Sequence, residues 1–152
     1  MYIIEAPQVT YPVHAKLFIA GGISNCPNWQ KEAITLLDKV EGIAYNPRRT
    51  SKFSEDIAGE QIEWEHSALR NSDTVLFWFP AETLCPITLF ELGVFSQRKN
   101  TPIFVGTHPD YQRKFDVIKQ LELERPEVRV HHSIEDTVNN FMEWDKKNFK
   151  LQ

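Results

Sequence analysis

The sequence predicts a single α/β domain built on a five-stranded parallel sheet with helices on both faces, and three observations carry that expectation. Five short apolar runs are spaced along the chain, and each leads into a stretch of helical periodicity. The clearest run, Thr74–Phe79, is continuous rather than alternating, as suits a strand covered on both sides. Strand-helix alternation of this kind gives a doubly wound, Rossmann- or flavodoxin-like sheet, with ligands beyond the carboxyl ends of the strands.

Taken in order, Lys16–Ala20 is the first strand and ends at Gly21-Gly22. Pro27 to Val40 then carries Trp29, Ala33, Leu36, Leu37 and Val40 at helical spacing, and Gly42 is expected to close that helix. Ile43–Asn46 is a short second strand stopped by Pro47. Thr50 to Gly59 reads as polar loop, followed by a helix to about Asn71. After Thr74–Phe79, Pro80 to Cys85 is loop, and Pro86 stands where a helix accepts proline, at its first residue. Pro102–Gly106 and Val128–His131 are strands four and five. Tyr111–Glu124 and Ile134–Phe149 are helical, the latter with Ser133 as N-cap. Tyr2–Ile4 is a candidate additional edge strand.

Composition excludes several classes. A length of 152 residues fits one domain, and 41% hydrophobic content with ten Phe and four Trp supplies its core. The net charge of −4 offers no basic field for nucleic acid. The apolar runs are far shorter than the ~20 residues of a membrane helix, so no membrane partner is expected. Met1 to Gln8 holds an acid and no basic region, so no signal peptide is expected. Two cysteines, Cys26 and Cys85, without metal-ligand spacing fit a reducing, cytoplasmic setting. His108, His131 and His132 lack a third ligand at useful spacing, so neither metal nor cofactor is expected. Dinucleotide, phosphate-loop and nucleophile-elbow motifs are absent.

The chemistry rests on two carboxylates. Glu91 lies in Pro86–Phe95, where Ile87, Phe90 and Val94 share its face and Leu89 and Leu92 lie opposite. That helix is apolar nearly all round and is expected to be buried, and a buried Glu must be paired, protonated or functional. Glu65 falls on a stripe with Ile62 and Leu69. Spacing alone favours an ordinary flank position for Glu65, and for Glu91 it also allows a capping or ion-pairing role. Two acids at one site fit glycosyl chemistry, in which one attacks the anomeric carbon and the other assists the leaving group.

The stretches Lys16–Asn25, Asn46–Arg49, Gln61–Asp73 and Phe77–Gly93, ending in an aromatic-Glu-Leu-Gly run, resemble the nucleoside 2-deoxyribosyltransferase family, in particular a branch with a Trp-Glu pair and a Cys-Pro-Ile-Thr-Leu run. They span residues 16 to 93, about half the chain. Its relatives include transferases that move deoxyribose between bases and hydrolases of nucleoside monophosphates. The resemblance implies Glu91 as the nucleophile that forms a covalent sugar intermediate. It implies Glu65, where the family commonly has Asp, as the acid that holds and protonates the base. Gly21 and Gly22, with Ser24 and Asn25 in the same turn, match the place where substrate approaches the backbone. Cys85 stands where relatives often carry Asp or Ser for the 5′ end of the sugar, a role a thiol fills poorly. Thr88, one turn before Glu91, is a candidate for bonding the nucleophile or a sugar hydroxyl, with first-turn back-bonding as the alternative.

Arg48 and Arg49 follow the second strand, where an Arg fork suits phosphate; one structural and one solvated Arg is the competing reading. The implied partners are a nucleoside or nucleotide and a free base. A homo-oligomer, at least a dimer, is expected as well. Val138, Phe141, Met142 and Trp144 give the last helix more than one apolar side, and family relatives complete the sugar pocket from a neighbouring subunit. The competing reading folds Trp144 over its own domain. A non-catalytic nucleotide-binding domain on the same fold is the alternative to an enzyme.

Overall fold

A computed structural model describes residues 1–8, 14–50 and 54–149. Its sheet is wholly parallel and has six strands rather than five: β1 (Tyr2–Glu5), β2 (Ala15–Gly21), β3 (Ile43–Asn46), β4 (Ser72–Phe79), β5 (Ile103–Thr107) and β6 (Val130–His131). The sixth is the N-terminal segment, which pairs along β3 from Tyr2↔Ile43 to Glu5↔Asn46 and so protects what would otherwise be an open edge. Strand order is β1-β3-β2-β4-β5-β6. The chain therefore reverses its direction of travel across the sheet between β2 and β4, whose carboxyl ends Gly21 and Trp78 lie in register. A crevice opens at such a reversal.

Among the described residues five α-helices cover the sheet: α1 (Trp29–Leu36), α2 (Ala58–Arg70), α3 (Pro86–Ser96), α4 (Lys114–Glu124) and α5 (Ile134–Asn148). The two faces have separate cores. On one, Phe18, Phe77 and Phe79 meet Leu69 of α2, Leu92 and Phe95 of α3, and Val117 and Leu121 of α4. On the other, Leu17, Ile19, Leu76 and Phe104 meet Ala33 of α1 and Val138 and Phe141 of α5. Alternate residues of β2 and β4 thus point into opposite cores, which is why their runs are continuous. No helix among the described residues is long and apolar enough to cross a membrane.

Boundaries differ where local chemistry outranks periodicity. Helix α1 is shorter than expected: Asn28 caps it by accepting from Lys31 N at 3.2 Å, and it closes at Leu37. Gly42, with φ of +124°, serves the entry into β3 instead of the helix end. The expected polar loop at 50–59 already contains a 3₁₀ turn at Glu55–Ile57 and the start of α2, and residues 51–53 lie outside the described segments. Helix α4 begins at Lys114, since Tyr111 is buried and its hydroxyl bonds Leu84 O at 2.7 Å. Ser133 does cap α5, accepting from Asp136 N at 3.0 Å.

Candidate active site

Two turns of chain build the floor of the crevice. Gly21 and Gly22 end β2, and the structure gives both a packing reason to be glycine. A Cβ on Gly21 would strike the Trp29 ring and the Trp78 carbonyl; one on Gly22 would lie 2.8 Å from Pro80 and 2.9 Å from Cys85 Sγ. The Gly22 carbonyl accepts from Trp29 Nε1 at 2.8 Å and from Gln30 Nε2 at 3.1 Å. Ser24 and Asn25 are exposed in the turn that follows, Asn25 with a left-handed φ of 59° that asparagine tolerates.

Arg48 and Arg49 leave β3 in different directions. Arg48 donates Nε to Gln30 Oε1 at 2.8 Å and Nη2 to the Pro27 carbonyl at 3.1 Å, so it ties the β3 loop to the start of α1. Arg49 has a largely covered side chain, with Nε donating to Gln61 Oε1 and Nη2 3.6 Å from Glu60. The two do not form one fork. Arg48 uses Nε and Nη2 within the chain, whereas Arg49 hydrogen-bonds only through Nε, and its Nη2 has no hydrogen-bond partner among the described residues.

Helix α2 presents Glu65 by an unexpected face. Ile62, expected inside with Glu65, is exposed, whereas Gln61 is buried beside Ala68 and Leu69. A polar residue wins the inner position because its amide is fully used. Gln61 accepts from Arg49, and its Nε2 donates to Pro47 O at 3.0 Å and to Glu65 Oε1 at 2.6 Å. Trp64 packs its ring edge-on against Tyr45, 5.6 Å between centroids, and closes that side.

Helix α3 supplies Glu91. Contrary to expectation it is not buried all round: Thr88, Leu92, Phe95 and Ser96 face inward, while Ile87 and Phe90 are 64% and 70% exposed. A helix laid on one face of a sheet has only one side to bury, and Glu91 stands half-buried at its border. Cys85 precedes the helix in a left-handed conformation, φ 52°, with its thiol turned inward and pushed up to about 12 by burial. Its Sγ lies 3.5 Å from the Thr83 carbonyl. Thr88 is buried, and its hydroxyl has no hydrogen-bond partner among the described residues. The Leu84 carbonyl to which a first-turn threonine would bond back accepts from Tyr111 instead.

Glu65 and Glu91 are electrostatically linked. Burial raises the Glu65 carboxyl, against the opposing pull of its Gln61 bond and the Arg49 charge. Glu91 is pushed up to about 8, first by burial and then by the charge of Glu65. Glu65 therefore ionises first, while Glu91 is neutral, and Glu91 must then ionise against it. Ionising both carboxyls therefore costs more than ionising either one alone.

A cleft of about 410 Å³ lies elsewhere, at the feet of β5 and β6, lined by Lys99, Arg125, Arg129, Trp144 and Lys147 among others. The carboxyl pair does not line it. Arg125 there is engaged by the Phe95, Arg98 and Thr101 carbonyls and by Glu127, which is framework bonding.

The residues not foreseen are two of the buried amides, Gln30 and Gln61. Gln61 had a legible signal in its i, i+4 spacing to Glu65; Gln30 had none, because its partners come from other segments.

Fold and site together define a doubly wound α/β protein with two interacting carboxyls on α2 and α3, the helices either side of β4 in the chain. Residues 14–111 match the family described as nucleoside 2-deoxyribosyltransferase like, and the chain belongs to that family. Its activity class is nucleoside-related glycosyl transfer. Among curated proteins, none matches the chain.

Proposed function

We propose that the protein transfers the sugar of a nucleoside or nucleotide between bases, with Glu91 as nucleophile and Glu65 as the acid. The observation that carries this reading is a pair of largely buried carboxyls, Glu65 on α2 and Glu91 on α3, near enough that the charge of one acts on the other. The reaction needs one carboxylate to attack the anomeric carbon and one acid to protonate the departing base. Attack breaks the N-glycosidic bond, leaves the sugar esterified on Glu91 and sends the base away with the proton. A second base, assisted by Glu65 as general base, reverses the step with overall retention. The proton rests on Glu91 before substrate binds, so binding moves it toward Glu65 and the base. Thr88, with its free hydroxyl, is placed in this reading to bond a sugar oxygen or the nucleophile. Gly21, Gly22, Ser24 and Asn25 line the turn at the sugar end, and Arg48 and Arg49 frame the far side. The whole chain acts as one domain.

Incubation with a panel of nucleosides and monophosphates, with and without a free acceptor base, tests this. Exchange products that form only with acceptor are expected. Free base released without acceptor would make the protein a hydrolase on the same machinery, and binding without turnover would reduce it to a nucleotide-binding domain.

A further inference from the structure

We propose that Gln61 is a positioning residue for the carboxyl pair: its amide, oriented by Arg49 and the Pro47 carbonyl, aims Glu65 at the site and places the pair's negative charge on Glu65. The role deepens the glycosyl-transfer reading and rests on it. The orientation of the amide is unambiguous. Arg49 Nε is only a donor, so it must meet Oε1, and Pro47 O and Glu65 Oε1 accept, so they must meet Nε2. A flipped amide would oppose donor to donor and acceptor to acceptor at all three contacts. Gln61 is also 7% exposed, so water does not replace these partners easily.

The consequence for the pair is asymmetric. A donor at 2.6 Å favours the ionised form of Glu65, and the Arg49 cation behind the same amide acts in that direction. Glu91 has no bond of this kind among the described residues, and the charge acting on it is that of Glu65 from α2. Glu60, which is 3.6 Å from Arg49, moderates the cation from the outside. The clamp therefore decides which carboxyl is the anion before substrate arrives. It also keeps that anion in a fixed place, ready to receive a proton.

The test is a carboxyl titration followed by NMR on protein labelled at glutamate Cδ, with Glu65→Gln and Glu91→Gln used for assignment. In Gln61→Met the lower step, belonging to Glu65, moves up by about one pH unit, the size expected for losing one hydrogen bond to a charged acceptor. A folded Gln61→Met protein with an unmoved lower step overturns the proposal. A wild-type measurement covers the case of a variant that does not fold: the Gln61 side-chain amide protons shift with the Glu65 titration, and signals insensitive to it overturn the proposal equally. Neither readout needs turnover, so failure here leaves sugar transfer standing, and absence of turnover leaves this test intact.

Discussion

At Glu91 two demands compete. Burial and a neighbouring anion hold the carboxyl neutral near pH 7, whereas attack on a sugar needs it charged. The site bears the cost as stability. A native carboxyl raised from 4.5 to about 8 keeps a proton that the unfolded chain releases, so stability falls as pH rises through that interval. Glu91→Gln removes the term. Thermal unfolding across a pH series should show the variant close to wild type near pH 4.5 and more stable by on the order of 10 °C near pH 8, at ~1.4 kcal/mol per pH unit and roughly 2–4 °C per kcal/mol for a chain of this size. The same variant should lose turnover by far more than about tenfold, or ~1.4 kcal/mol of barrier; turnover within that margin removes Glu91 as nucleophile. Glu65→Gln should slow poor leaving bases more than good ones, measured as kcat/KM across a series of bases. Equal losses would assign Glu65 another task.

At the scale of elements, glycines separate packing from function. Gly21 ends β2 against the Trp29 ring and the Trp78 backbone, and neither has room to yield. Gly21→Ala should lower stability by about 1–3 kcal/mol in denaturant titration, as overpacking does. Gly93, in the interior of α3, has nothing within 4 Å of its Cβ direction, so alanine there meets no clash and improves helix propensity. Gly93→Ala should raise stability by ~0.5–1 kcal/mol. A stable Gly93→Ala protein that has lost turnover would show that the space beside Glu91 is kept for substrate or for a second subunit.

For the whole molecule, the last helix does not supply the expected second apolar side. Val138 and Phe141 are fully buried, and Trp144 lies among Phe104, Phe141 and Phe149 of its own chain, with Met142 packed on the same core. Lys16 and Asp145, paired at 2.8 Å, hold that helix to β2. The large apolar side chains left in solvent beside the carboxyl pair are Ile62, Ile87 and Phe90. We propose a homo-oligomer that covers this side, with a neighbour supplying the 5′ contact that Cys85 does not make. Light scattering should give at least a dimer, and Ile87→Asp with Phe90→Asp should yield a monomer with turnover lost. A fully active wild-type monomer would end both the interface and the borrowed contact.

The sequence by itself determined the sheet, its parallel sense and the helices, because continuous apolar runs alternating with helical periodicity admit few other arrangements. It also singled out both carboxylates, since the aromatic-Glu-Leu-Gly run and the Trp-Glu pair are local patterns. Periodicity misjudged which sides of α2 and α3 face inward. It counts polarity residue by residue, and so it placed Ile62 inside and had no reason to bury Gln61, whose three bonds come from Arg49, Pro47 and Glu65. Only the tertiary structure decided that Arg48 and Arg49 part company, that Trp144 folds home and that the charge of Glu65 acts on Glu91. Each depends on groups distant in the chain sharing a low-dielectric space, where hydrogen bonds and charges outweigh the local pattern.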